Sequence, residues 1–309
     1  MNRKILSLAA AAILLSCGLL LWVAVNNDDD DGYPTYKDVR YGPHERDLMD
    51  IYLPDTGTGP VTMFMYIHGG GWMSGDKSAG RGWAHLADSG YAVVSINYRF
   101  VTPGDSSTTC GDILNDIHDA IAYIKDNAGT YGINVSGMAI GGYSAGGHLA
   151  LLYSYSMNSP IPIKLAVAES APTDFTDPEM YRELQNGIGY FGSPVLAVAD
   201  LVNTLAGSNY SLADLRNESM NKPELNAISP EYYAAYSNAR VPYTIIKHGD
   251  SDNVVPVSQG HRLADKMLSE GLAHTLIIFA NSFHGQWNDP VSDEIFMQNV
   301  LDRMALVNI

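Results

Sequence analysis

Apolar residues along the chain fall into short runs that alternate with segments of helical spacing. The runs bounded by glycine, proline or polar residues predict β-strands. In chain order they are KDVRY, LMDIYL, VTMFMYIHGGGW, GYAVVSINYR, GMAIGGYS, IKLAVAES, PYTIIKHGDSD and HTLIIFANSFH. Several of them are apolar throughout instead of alternating, which predicts strands that are covered on both faces.

Segments with an apolar residue at every third or fourth position predict helices between these strands. In residues 112–127 the side chains of Ile113, Ile117, Ile121 and Ile124 share one side. Three further helices are predicted, over AGGHLALLYSYS, VSQGHRLADKMLSEGL and residues 289–305. The alternation of strand and helix predicts an α/β fold with a mostly parallel, doubly wound sheet and right-handed crossovers.

One stretch, from about residue 175 to 236, breaks this alternation. It is rich in tyrosine, asparagine and serine and contains no clear strand. We therefore predict a cap-like insertion that lies over the C-terminal edge of the sheet. Folds of this kind bind their ligands at that edge.

The N-terminus has the pattern of a targeting segment. Arg3 and Lys4 precede an uncharged run at residues 5–25, and four aspartates follow at residues 28–31. About 20 apolar residues span a bilayer as a helix. The positive charge before the run predicts a cytoplasmic N-terminus and an exported remainder.

Residues 1–32 are therefore predicted to be a membrane anchor or signal segment with an acidic spacer, and residues 33–309 a folded domain. Three processing routes stay open: an uncleaved anchor, a lipoprotein lipidated at Cys17 in the LLSCG stretch, and a cleaved signal peptide. Each of them places the domain outside the cytoplasm, either anchored to the cell membrane or secreted.

Composition excludes several function classes. The net charge of −16 excludes the basic face that a nucleic-acid partner requires. Cys17 and Cys110 are the only cysteines, and the nine histidines lack the spacing of a zinc helix, so no metal site is predicted. The sequence carries no indication of an oligomeric state.

A candidate nucleophile lies in Gly142-Tyr143-Ser144-Ala145-Gly146. This Gly-x-Ser-x-Gly pattern follows an apolar strand and precedes an apolar helix, as a nucleophile elbow requires. The neighbours are small because a sharp turn leaves no room for Cβ atoms. The motif by itself also fits an ordinary strand–helix turn or a phosphate-binding loop.

A glycine loop, HGGGW at residues 68–72, follows an earlier strand. The backbone N–H groups of Gly70 and Gly71, with that of Ala145, are candidates for an oxyanion hole, in which each donor contributes roughly 3–4 kcal/mol. A phosphate cradle is the alternative, but no Gly-x-Gly-x-x-Gly or Gly-x-x-x-x-Gly-Lys follows a strand. His68 is interpreted as an anchor of the loop.

The candidate acid and base come later in the chain. Asp250 and Asp252 both follow a strand in KHGDSDNVVP, and position does not choose between them. His284, in NSFHG, follows the last predicted strand, and an unperturbed histidine titrates near 6.5 and accepts a serine proton at neutral pH. The order serine, aspartate, histidine is that of an α/β-hydrolase. The remaining candidates are interpreted as structural histidines: His44, His118, His148 and His248.

Together these motifs resemble the α/β-hydrolase superfamily, and within it the bacterial carboxylesterases of the hormone-sensitive-lipase-like and feruloyl-esterase-like (BD-FAE) groups. The resemblance covers about residues 36–306, apart from the insertion. The segments that carry it are YIHGGGWMSGDK, GYAVVSINYR, IGGYSAGGHLALL, ISPEYY and HGDSDNVVP. One departure is Tyr143, where lipase-like relatives often have aspartate.

The resemblance implies an α/β-hydrolase fold, with residues 33–309 as the catalytic domain. It implies that Ser144 is the nucleophile, His284 the base and Asp252, not Asp250, the acid. It also implies oxyanion donors at the backbone amides of Gly70, Gly71 and Ala145.

The function expected is that of a serine carboxylic-ester hydrolase that forms an acyl-enzyme on a small-molecule ester and needs no cofactor. Alternatives are an amide or formamide hydrolase or a peptidase on the same fold, and a non-catalytic surface binding protein. Trp72 and Tyr143 are the candidate substrate contacts. Four other aromatic residues are equally consistent with a pocket wall or with the core: Phe175, Tyr190, Phe191 and Trp287.

Overall fold

The computed structural model describes residues 33, 35–55, 59–185, 188–236 and 241–307. The predicted anchor or signal segment and its acidic spacer, residues 1–32, lie outside this part of the chain. Within the described ranges, no helix combines the length and the apolar character needed to cross a bilayer.

The strands lie close to the runs that the hydrophobic pattern predicts. They are β1 (Thr35–Arg40), β2 (Leu48–Tyr52), β3 (Met63–Ile67), β4 (Ala92–Ile96), β5 (Met138–Tyr143), β6 (Ile163–Glu169), β7 (Glu183–Gln185), β8 (Ile188–Gly189), β9 (Tyr243–Gly249) and β10 (His274–Phe279). In the described chain eight of them form one sheet, in the order β1-β2-β4-β3-β5-β6-β9-β10. β2 pairs antiparallel with β1 and with β4, and all later neighbours pair in parallel. The predicted mostly parallel α/β sheet is confirmed.

Helices cover both faces of this sheet. The α-helices are α1 (Cys110–Asp126), α2 (Ala128–Tyr131), α3 (Ala145–Ser156), α4 (Val195–Ala206), α5 (Leu212–Leu215), α6 (Pro223–Ala227), α7 (Pro230–Tyr236), α8 (Ser258–Ser269) and α9 (Pro290–Met304). In the described ranges three 3₁₀ segments accompany them: Lys77–Ser89, Pro178–Tyr181 and Tyr190–Gly192.

Side-chain alternation divides the core into two layers, because successive residues of a strand point to opposite faces. In β3, Met63 and Met65 pack in one cluster with residues of α1, α3 and α8. Phe64 and Tyr66 pack in a second cluster, with residues of the 3₁₀ segment Lys77–Ser89 and of α9.

The 3₁₀ segment Lys77–Ser89 forms the crossover from β3 to β4, where the sequence analysis predicted no helix. Asp76 caps its start by accepting a hydrogen bond from the Ser78 N–H at 2.9 Å, and Gly90 ends it with a φ of 84°. Trp83 anchors it to the sheet by stacking on Phe64 with ring centroids 4.7 Å apart.

The predicted insertion lies between β6 and β9, and its interior differs from the prediction. Strands β7 and β8 form a small antiparallel pair there, so the expectation of no strand was wrong. Two paired positions are too few to produce an alternating pattern in the sequence. Helix α7, at the end of the insertion, packs against α3 and α8. That helix therefore belongs to the layer that covers the sheet.

Candidate active site

Ser144 occupies a sharp turn between β5, which ends at Tyr143, and α3, which begins at Ala145. Its backbone has φ 55° and ψ −121°, a left-handed conformation that is costly for a residue with a side chain. Two backbone hydrogen bonds hold the turn. The Ser144 N–H donates to the Glu169 carbonyl at 2.7 Å, and the His148 N–H donates to the Ser144 carbonyl at 3.0 Å.

The glycines on either side of Ser144 are required by space. A Cβ on Gly142 would lie 2.4 Å from the carbonyl oxygen of Ile67, and a Cβ on Gly146 would lie 2.0 Å from the same atom. Both distances are far below contact, so the turn packs directly on the end of β3. This contact places Ser144 beside the glycine loop that follows β3.

Asp252 and His284 are joined by a hydrogen bond, with 2.7 Å between the imidazole Nδ1 and the carboxylate Oδ2. The other carboxylate oxygen accepts from the N–H groups of Val254 and Val255, both at 2.9 Å. Burial alone would raise the pKa of Asp252, but hydrogen bonds from His248 and His284 outweigh it and hold that pKa below its ordinary value.

Asp250, the other acid that the sequence offered, is exposed and accepts a hydrogen bond from the Ser251 hydroxyl at 2.9 Å. It therefore sits in the turn, while Asp252 lies beside the imidazole. The catalytic role that the family resemblance implied for Asp252 stays a prediction.

His248 is a second imidazole at the Asp252 carboxylate, which sequence reasoning had classed as structural only. Its Nε2 lies 3.4 Å from Oδ2 of Asp252 and 3.1 Å from the Val255 carbonyl. The ring is fully buried. One feature of the sequence indicated this contact: His248 precedes Asp252 by four residues, in HGDSD.

The glycine loop lines the same region of the molecule. Gly70 and Gly71 have φ values of 110° and 59°, and the Gly70 carbonyl closes the loop by accepting from the N–H groups of Met73 and Ser74, each at 3.1 Å. Within the part of the chain that the structure describes, the N–H groups of Gly70 and Gly71 donate to no backbone acceptor. Such amides are free to bind an anionic oxygen. Ala145, the third predicted donor, is the first residue of α3.

A cavity of about 340 Å³ joins these groups. Its walls combine the glycine loop, the serine turn, the histidine loop and part of the insertion: Tyr66, Gly70, Gly71, Tyr143, Ser144, Glu169, Phe191, Gly192, Asn253, Val254, His284, Gly285, Gln286 and Trp287. The Tyr143 ring packs against the His284 imidazole with centroids 4.9 Å apart. Ser144 and His284 therefore share one chamber.

Trp72 was predicted as a substrate contact, and the structure places it elsewhere. Its side chain is fully buried, and its ring packs on Phe175 and on Phe191. Its Nε1–H donates to Nδ1 of His148 at 3.1 Å. Trp72 thus supports the wall that Phe191 contributes to the cavity. Trp72 is not among the residues that line the cavity, and a loop sequence does not reveal which of its side chains turns inward.

The other aromatic candidates include residues that line the cavity and residues that do not. Tyr143, Phe191 and Trp287 line the cavity, whereas Phe175 is fully buried behind it. The side chain of Tyr190 lies outside the described part of the chain.

Two buried histidines have structural partners, as the sequence analysis expected. The Nε2 of His148 donates to the Ile228 carbonyl at 2.8 Å, while its Nδ1 accepts from the tryptophan. The His68 ring stacks on Tyr98 with centroids 4.3 Å apart, and its Nδ1 donates to the Gly69 carbonyl. Burial lowers the pKa of each imidazole to about 4, so both stay neutral at physiological pH.

Sequence reasoning missed a buried ion pair at the end of the cavity. Glu169, the last residue of β6, lines the cavity, and its Oε2 lies 3.2 Å from Nζ of Lys247 in β9. Burial raises the pKa of Glu169 despite the lysine beside it. Glu169 lies in AES and Lys247 lies in IIKHG. These two segments belong to no common motif, so no sequence feature predicts that their side chains form an ion pair.

Comparison with known proteins gives the family. The BD-FAE family model matches residues 49–267. A probable carboxylic ester hydrolase of Mycobacterium tuberculosis (LipM) is 29% identical over 74% of this chain and 51% of its own length. The kynurenine formamidase of Danio rerio is 25% identical over 73% of this chain and 76% of its own length.

Solved structures agree on the fold. A truncated form of a carbohydrate esterase from gut microbiota superposes with a TM-score of 0.72 and 23% identity, over 92% of this chain and 99% of that one. The chain spans 51–59% of the length of several curated relatives that it matches. From the family match and the shared architecture, the chain belongs to the BD-FAE family and has the α/β-hydrolase fold.

Proposed function

We propose that the chain is a serine carboxylic-ester hydrolase that acts on a small-molecule ester through an acyl-enzyme. The observation that carries the proposal is the hydrogen bond between Asp252 and His284, whose imidazole lines the same cavity as Ser144. The curated relative from Mycobacterium tuberculosis is named as a probable ester hydrolase, which supports the same reaction class.

In this proposal the Ser144 hydroxyl attacks the ester carbonyl carbon while Nε2 of His284 takes its proton. Asp252, bonded to Nδ1, holds the imidazole in the tautomer whose Nε2 is free, and it stabilises the imidazolium that forms. The imidazolium then protonates the leaving alcohol. Water attacks the acyl-enzyme by the same route, which releases the acid and restores the serine.

The carbonyl oxygen becomes negative in the tetrahedral intermediate. We assign its binding to the N–H groups of Gly70, Gly71 and Ala145. Both glycines have a positive φ, and neither of their N–H groups donates to a backbone acceptor among the residues that the structure describes. Each donor in such a hole is worth roughly 3–4 kcal/mol of barrier, because it is already oriented when the charge develops.

A second candidate is hydrolysis of a formamide or other small amide by the same groups. The matched kynurenine formamidase of Danio rerio favours it, since that protein's name indicates cleavage of an amide bond. The two reactions differ in the leaving group, which is an amine instead of an alcohol.

For the N-terminal segment we propose that residues 5–25 direct the hydrolase out of the cytoplasm and hold it at the membrane or release it. The basis is the uncharged run behind Arg3 and Lys4. Protease added to spheroplasts that express the full chain should digest the domain, unless the domain has already been released into the medium. A domain that stays with the spheroplasts and is protected until they are lysed would refute the proposal.

The function is tested by turnover of short-chain esters and of matched anilides. We expect ester hydrolysis that disappears in Ser144→Ala and persists in Ser269→Ala, a control at an exposed serine. Faster turnover of a formanilide than of any ester would select the second candidate. Ester turnover that survives Ser144→Ala would refute both, because it would exclude Ser144 as the nucleophile.

A further inference from the structure

Two polar side chains form one end of the cavity. Tyr66 and Glu169 are each only 6% exposed, and both line the cavity that contains Ser144. The proposed ester hydrolysis assigns neither of them a role. A carboxylate and a phenol that face a cavity need a reason, because unpaired polar groups are costly to bury.

Strand register brings the two together on one face of the sheet. Gly141 in β5 pairs with Tyr66 on one side and with Val167 on the other. Tyr66 and Val167 pack in the same core cluster, and Glu169 follows Val167 by two residues, which places it on the same face. The strand between them carries no side chain at Gly141, where a Cβ would lie 2.7 Å from the Phe64 ring.

Lys247 fixes the charge at this end of the cavity. Its Nζ lies 3.2 Å from Oε2 of Glu169 and 3.0 Å from Oδ1 of Asp293. The same nitrogen lies 4.2 Å from the centroid of the Trp287 ring. The ammonium group therefore balances the Glu169 charge and holds its carboxylate in place.

Two polar atoms at this end of the cavity have no hydrogen-bond partner within the described residues. In the described ranges, neither Oε1 of Glu169 nor the hydroxyl of Tyr66 bonds to another group, and neither is a fully enclosed atom. Both atoms therefore face the cavity. Together they offer a charged acceptor and a phenol that can donate or accept.

We propose that Glu169 and Tyr66 determine specificity by binding a hydroxyl group of the ester substrate, carried on its acyl or its alcohol part. This inference rests on the proposed ester hydrolysis. A hydroxyl satisfies the carboxylate as a donor and the phenol as an acceptor. A hydrocarbon group would leave both unpaired, and a substrate carboxylate would be repelled by Glu169. Lys247 disfavours an ammonium group at the same place.

Two pairs of esters that differ only by hydroxyl against methyl test the proposal. The acyl pair is methyl β-hydroxybutyrate and methyl isovalerate, and the alcohol pair is hydroxyethyl butyrate and propyl butyrate. Released acid is titrated at constant pH to obtain kcat/KM. Hydrogen bonds to a charged group predict a preference of about tenfold or more for the hydroxyl member of at least one pair.

Two variants test whether the side chains of Glu169 and Tyr66 cause the preference for the hydroxyl ester. In Glu169→Gln and in Tyr66→Phe the ratio within the pair should fall at least threefold, mainly through slower turnover of the hydroxyl ester. Asp293→Asn is the matched control, since it removes the other partner of Lys247 outside the cavity lining and should leave the ratio within about twofold. Tyr66→Phe deletes one oxygen, so it keeps the test open if Glu169→Gln does not fold.

The outcomes separate this inference from the proposed function. Ratios below about tenfold in both wild-type pairs, or an unchanged ratio in a folded variant of either side chain, would overturn the hydroxyl subsite while ester hydrolysis stands. Turnover of none of the four esters by the wild type would overturn the proposed function and this inference with it.

Discussion

Replacing Asp252 by asparagine tests the contact between the carboxylate and the His284 imidazole, and replacing Asp250 provides the control. Asparagine has the shape of aspartate but only one oxygen. Asp252 uses both of its oxygens, one for Nδ1 of His284 and one for the N–H groups of Val254 and Val255. The asparagine cannot accept at both places.

The expected loss follows from the orientation that the amide adopts. If its oxygen faces the two N–H groups, its NH₂ group faces Nδ1 of His284 and forces that nitrogen to accept. The proton then sits on Nε2, which can no longer take the serine proton. This fault in a triad costs about 10⁴-fold in kcat, or about 5 kcal/mol of barrier at 1.36 kcal/mol per decade.

Steady-state hydrolysis of a short-chain ester measures the effect. We expect Asp252→Asn to lower kcat and kcat/KM together by about 10³- to 10⁴-fold, because the lost interaction acts in the transition state. Asp250→Asn should change neither by more than about twofold, because that side chain is exposed. Equal losses in the two variants, or a larger loss at Asp250, would refute the assignment of the acid.

The same carboxylate contributes to stability in a pH-dependent way. The hydrogen bonds from His248 and His284 hold the folded pKa of Asp252 below its unfolded value of 3.8. Its stabilising contribution is therefore present above about pH 4 and is lost as the pH falls below that value. Urea unfolding should show the wild type more stable than Asp252→Asn at neutral pH, with a gap that narrows in acid. A gap that is constant with pH would contradict this linkage.

Two further predictions concern the serine turn and the wall of the cavity. Gly146→Ala should lower kcat/KM at least about 100-fold and the free energy of unfolding by about 3 kcal/mol, because its Cβ would lie 2.0 Å from a carbonyl oxygen. The control is Gly129→Ala, because a Cβ at Gly129 meets nothing within 4 Å. Its free energy of unfolding in urea should lie within about 1 kcal/mol of the wild type. An equal loss of stability in the two variants would refute the steric argument. Trp72→Phe should lower the free energy of unfolding by about 1–3 kcal/mol, because Nδ1 of His148 loses its donor, with KM within about twofold. A tenfold rise in KM without loss of stability would instead make Trp72 a substrate contact.

Hydrophobic patterning sufficed to predict the sheet, because its central strands β3, β4 and β5 are buried on both faces and form apolar runs in the sequence. It failed for the 3₁₀ segment Lys77–Ser89, whose KSAGRGWAHLADS sequence has few apolar residues. That segment is held by single anchors such as Trp83. It failed also for β7 and β8, which pair over very few residues.

For the candidate site, the order of residues along the chain predicted that the site residues follow strands. It did not predict which of their side chains are in contact. Position left Asp250 and Asp252 equivalent, and only the fold brings Asp252 beside the imidazole. Glu169 and Lys247 meet because β6 and β9 are neighbours in the sheet and these two residues are in register. Pairings of that kind depend on strand order, which no local pattern records.

The most direct test of the account is to locate the covalent adduct of a fluorophosphonate probe on the native protein by peptide mass spectrometry. Such probes phosphonylate an activated serine. We predict a single adduct on Ser144, absent in Ser144→Ala and formed at least about 100-fold more slowly in His284→Ala. An adduct on another serine, or labelling of Ser144 at an unchanged rate in His284→Ala, would contradict the proposed triad.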